Sequence, residues 1–113
     1  MNTVDLRNVL ARRSSLHIND DLALMDCWEQ ETEILSDDLS ETIAFFDTCT
    51  DKEFYWLSEV FDNLIEKTQS RELFQAICKR AERVNNREYK VSIATDIELA
   101  KDQFSRNDVT TMV

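Results

Sequence analysis

The chain has 113 residues, a formal net charge of −10, and neither glycine nor proline. That length supports one hydrophobic core and excludes a nucleotide-binding unit with a separate substrate domain. No apolar run approaches the roughly 18 residues of a membrane helix, and MNTVDLRNVLARR has no apolar core for a secretory signal. Without glycine, tight hairpins and glycine-rich strand-to-helix turns are hard to build, whereas helices joined by Ser, Thr, Asn and Asp caps need neither missing residue. The expected fold is all-α, one domain over residues 1–113 that forms a compact bundle of five to six helices arranged as helical hairpins, with residues 106–113 frayed.

Val4, Val9 and Leu10 predict a short first helix, capped by Thr3 and ending near Arg12 and Arg13, whose charges suit the helix dipole. Asn19-Asp20 opens a second helix with Leu22, Met25, Trp28, Thr32 and Leu35 on its apolar side, and the pattern continues through Leu39, Ile43 and Phe46. A break is expected at Ser36-Asp37-Asp38. Thr50-Asp51-Lys52-Glu53 matches a capping box, followed by the stripe Phe54, Leu57, Phe61, Leu64 and Ile65. Ser70 caps a further helix with Leu73, Phe74, Ile77, Ala81 and Val84 inward, and Asn85-Asn86 stands in for a C-terminal glycine. NREYKVS reads as a turn or short extended piece before a last helix near Thr95–Phe104. The second and third helices, then the fourth and fifth, read as hairpins. The core should bury Trp28, Leu39, Ile43, Phe54, Leu57, Phe61, Leu73 and Ile77.

Catalytic chemistry finds little to stand on. His17 is the single histidine, and it forms no nucleophile motif with Ser or Cys. Cys27, Cys49 and Cys78, odd in number and widely spaced, read as buried thiols in a reducing cytoplasm rather than a disulfide framework. An EF-hand loop would need a turn glycine, and a di-iron bundle needs two Glu-x-x-His motifs. No enzyme, cofactor, metal or catalytic residue is therefore expected. A face for nucleic acid contradicts the charge.

The charge is concentrated. Residues 20–66 carry fifteen acids against Lys52 alone, and the thirteen residues EQETEILSDDLSE from Glu29 to Glu41 hold six carboxylates and no base. Asp26, Glu29, Glu33, Asp37 and Glu41 step by three or four, and so do Tyr55, Glu59, Asp62 and Glu66. Like charges at that spacing each cost a few tenths of a kcal/mol. Solubility accounts for negative charge, but not for the scarcity of bases in one half. A surface complementary to a basic partner accounts for both, with Tyr55 as an aromatic anchor inside the charged rim. Those nine residues are the candidate partner-binding site, with Arg80 and Arg83 in the mixed C-terminal half as bystanders.

The run DKEFYWLSEVFDNLIEKTQSREL (Asp51–Leu73), preceded by DLALMDCWEQETEILSDDLSETIAFFDTC, resembles small acidic immunity proteins of bacterial polymorphic toxin systems. The nearest group is the contact-dependent growth inhibition immunity proteins, and the similarity spans roughly residues 20–105. The resemblance implies an antitoxin that binds and neutralises the C-terminal toxin domain of a cognate effector in the cytoplasm. It touches neither nucleic acid nor membrane, and its carboxylates occupy a basic, nuclease-like cleft. The alternatives are an acidic helical adaptor and a nucleic-acid-mimic regulator with no toxin partner.

Overall fold

The computed structural model describes residues 1–17 and 19–104, which contain seven α-helices, one 3-10 turn and no strand. The helices are α1 (Thr3–Ser15), α2 (Asp21–Asp37), α3 (Leu39–Thr48), α4 (Asp51–Leu57), α5 (Phe61–Thr68), α6 (Arg71–Ala81) and α7 (Arg87–Lys101). A 3-10 turn at Ser58–Val60 joins α4 to α5 without a gap, so the chain forms six helical bodies, an all-α bundle. The expected frayed tail lies outside the described residues.

Short polar side chains start almost every helix. Asn2, Asp20, Asp38, Thr50, Ser70 and Asn86 each accept a backbone N–H from the first turn, satisfying a donor that has no partner inside the helix. Thr50 and Glu53 complete the reciprocal capping box. Asp38 ends α2 and caps α3, so the expected break is there. Thr3, expected as the first cap, is the first helical residue, and Asn2 does the capping.

Helix ends are handled without glycine. Gln69, which ends α5, is the one described residue with positive φ, at 51°. At the end of α3 the carbonyls are taken by one arginine of α6 and one from the turn that follows it. Arg80 donates to the Phe46 and Cys49 carbonyls at 2.7 and 2.9 Å, and Arg83 to the Asp47 carbonyl at 2.6 Å. Arg80 is thereby almost fully buried, over the ring of Phe54 and bonded to Asp51 at 2.8 Å. Its place in the mixed half is structural, which corrects the bystander reading. Arg83 stays exposed and pairs with Asp47.

The core centres on Phe46, Phe54 and Phe61, whose ring centroids lie 5.2–5.8 Å apart. Leu57, Leu64, Ile65, Leu73 and Ile77 close around them with no exposed surface. Helix α1 packs on α2 and α6 on α7, while α3 lies against α6 and α5 against α7.

Three expectations change. Trp28, Leu39 and Ile43 are half-buried at the core margin. Leu22 and Met25 face outward, 83% and 60% exposed, because the buried stripe of α2 is Leu24, Cys27, Glu31 and Leu35. And the NREYKVS segment is helical, forming the first turns of α7. Asn86 caps it, and Tyr89 stacks on Tyr55 at 4.3 Å and 18°, so tertiary contact settles a stretch whose local signal was ambiguous.

Candidate partner-binding site

Helix α2 holds half of the candidate acids, and α1 packs against it. Asp26 accepts from Arg12 at 2.8 Å and from Gln30 at 2.8 Å, so it belongs to the α1–α2 seam. Glu29, Glu33 and Asp37 are exposed and enter no ion pair among the described residues. Glu41 lies one helix further on, in the first turn of α3, where it contacts the amino group of Met1.

The second acidic row does not survive as a face. A 3-10 turn has three residues per turn rather than 3.6, so three such residues rotate the following phase by about 60°. Glu59 sits inside that turn and is directed inward. Arg13 Nε and Nη2 donate to its two oxygens at 2.8 and 2.6 Å, and Trp28 Nε1 donates at 2.8 Å. Tyr55 is likewise consumed, half-buried between Trp56 and Tyr89. Both residues are half-buried and already partnered within the fold, unlike the freely exposed row expected for them. Asp62 is half-buried near Asp96 of α7, itself 2.8 Å from Ser58 Oγ. Glu66 is exposed on α5.

One acid of the opening stretch was missed. Glu31 is completely buried, with neither oxygen hydrogen-bonded. Burial pushes its carboxyl up to about 8, the neighbouring Glu59 adds to the rise, and Arg13 opposes it. At neutral pH Glu31 is therefore held neutral, beside an Arg13–Glu59 pair whose guanidinium also covers the Trp56 ring at 4.8 Å. The readable signal was Glu31's position four residues from both Cys27 and Leu35 on the buried stripe.

Arginines from both flanks thus pair with five of the acids. Arg7, Arg12, Arg13, Arg80 and Arg83 pair with Glu53, Asp26, Glu59, Asp51 and Asp47. Several exposed acids, Asp20, Asp21, Asp38 and Glu66 among them, enter no ion pair among the described residues, and three of these unpaired acids, Glu29, Glu33 and Asp37, form a row along the outer side of α2. It borders a groove of about 390 Å³ between α2 and α5, lined by Met25, Trp28 and Thr32 with Glu29 and Glu33 on one flank and Asn63 and Lys67 on the other. No group of three or more His, Cys, Asp or Glu side chains among the described residues is placed to hold a metal. Nor is any described helix long and apolar enough to cross a membrane. The three cysteines are free, and burial pushes the Cys49 thiol up to about 11, far from a reactive thiolate. No protein-family model, curated protein or solved structure matches the chain.

Proposed function

We propose that this chain is an immunity protein, a non-catalytic antitoxin that binds and neutralises the toxin domain of a cognate effector in the cytoplasm. The target is a basic domain, a nuclease by the chemistry of the face offered to it. The observation that carries this reading is the row Glu29, Glu33 and Asp37, exposed and without arginine partners among the described residues, in a protein that pairs five other acids with arginine. Stability alone gains nothing from that row, because like charges four residues apart on a helix repel. A positively charged cleft gains rapid encounter and rejection of wrong partners.

The test is co-expression with the toxin domain encoded directly beside this gene, together with stopped-flow association of the purified pair. Glu33→Lys with Asp37→Lys should slow association at least tenfold, abolish protection and leave the fold intact, since both residues are exposed. Arg87→Glu with Lys90→Glu, exposed on α7, is the remote control and should keep protection. Protection and association rate unchanged in the α2 variant would make the row merely solubilising and favour the adaptor reading.

A further inference from the structure

We propose that the α2–α5 groove seats a short amphipathic basic segment of the partner, a helix whose apolar side chains contact Met25 and Trp28 while its Arg or Lys side chains pair with Glu29 and Glu33. The proposal rests on the antitoxin reading of this face and names what the face takes hold of.

Three features of the groove select that occupant. The first is its apolar content beyond what a solvated acidic helix needs. Met25, 60% exposed, lines the groove with the half-buried Trp28, and Leu22, one turn earlier on α2 and outside the groove lining, is 83% exposed. A partner's apolar side chains would remove that surface from water, at roughly 25 cal/mol per Å². The second is rigidity. The Trp28 indole is fixed by its hydrogen bond to Glu59, itself clamped by Arg13, so no rotamer freedom is lost when a ligand covers it.

The third is the polarity of the flanks. Glu29 and Glu33 stand on the α2 side, Asn63 and Lys67 on the α5 side. A helix lying in the groove meets carboxylates along one edge and a cation along the other. Bases on both edges would set one of them against Lys67, so the favoured occupant is basic on one edge and neutral or acidic on the other. From Met25 to Glu33 the α2 wall runs eight residues, about 12 Å at 1.5 Å per residue, which matches roughly two turns of a bound helix. Such a helix docks through anchors spaced i, i+4 and i+7.

The probe is a blocked, stapled helical peptide of about four turns. It carries Leu at i, i+4 and i+7, Arg along one edge and Gln along the other. A comparison peptide has the same composition with Leu and Arg interchanged so that no apolar seam remains. Both are titrated into the full chain at low salt, with amide and indole chemical shifts as the readout. The seamed peptide should shift the Trp28 indole and the amides of Met25, Thr32, Asn63 and Lys67, and bind at least tenfold tighter than the seamless one. Met25→Asp should lose that advantage, and Lys67→Glu should allow a peptide with Arg on both edges to bind as well as the one-edged peptide. Equal affinity and diffuse shifts for both peptides, unaffected by Met25→Asp, would overturn the groove while leaving the acidic face in place. No binding of either peptide at low salt would overturn the groove and the attraction of this face for basic partners together.

Discussion

Glu31 puts a carboxyl where a carboxylate is poorly tolerated, and its consequence is a pH dependence of unusual sign. In the unfolded chain it ionises near its ordinary value of 4.5; in the fold it keeps its proton to about 8. Between those values the folded state binds the extra proton, so stability falls as pH rises through the window and is full below it. The loss is of order 5 kcal/mol by pH 8, from about 1.4 kcal/mol per pH unit of difference. Glu31→Gln, which keeps the shape and removes the charge, should flatten the decline in chemical denaturation between pH 5 and 8.5, and should exceed the parent at the upper end. Parallel curves for the two proteins would mean that Glu31 is ionised and solvated. Arg80 makes the opposite case, a base the fold cannot release. Arg80→Ala leaves two carbonyls and Asp51 without their donor, so it should cost about 3–5 kcal/mol, the range for breaking a buried pair. Arg80→Lys cannot reproduce the forked contacts and should recover less than half. Retention of the parent's denaturation midpoint by Arg80→Ala would refute this role.

At the scale of the element, short polar caps make the helix boundaries. Asp38 closes α2 with an extended backbone and caps α3 through Glu41 N. Asp38→Ala should therefore cost about 1 kcal/mol, and hydrogen exchange should report it as faster opening of the first turn of α3, not as global loosening. Exchange that quickens evenly across all helices would place the effect elsewhere. These boundaries were legible in the sequence because a cap is a local event, read from Asp38, Thr50, Glu53 and Ser70 without knowledge of the rest. The phase of α2 was not. Its outward residues include Leu22 and Met25 and its inward ones include Glu31, so hydropathy points the helix the wrong way by about one residue. The 3-10 turn was equally hidden, and with it the inward direction of Glu59, because a change of pitch leaves no compositional mark. The start of α7 escaped for a third reason. Its first turn packs Tyr89 on Tyr55, a contact between residues far apart in sequence that no local pattern announces. Exposure of the candidate acids was legible where it followed helix periodicity, at Glu29, Glu33 and Asp37, and illegible where tertiary partners claimed the side chain.

For the whole molecule, the net charge of −10 predicts that folding and the proposed recognition of a basic partner respond to salt in opposite directions. Screening relieves repulsion among unpaired carboxylates, while the part-buried pairs of Arg13 and Arg80 feel it less and the more exposed pairs of Arg7, Arg12 and Arg83 contribute little to lose. The melting temperature should therefore rise with NaCl, by roughly 4–8 °C if about 1 kcal/mol of repulsion is removed, while association with a basic partner slows. Both slopes having the same sign would break the assignment of the free charge to the binding face. The arginines that close the end of α3 and clasp Glu59 have one more effect, which concerns descent. They divide the carboxylates into those the fold depends on and those it does not. A lineage adapting to a changed partner can rewrite Glu29, Glu33 and Asp37 one substitution at a time, because every intermediate still folds. The same walk through Asp51 or Glu59 takes a partner from Arg80 or Arg13 at each step, so change on the outer surface of α2 costs the fold less.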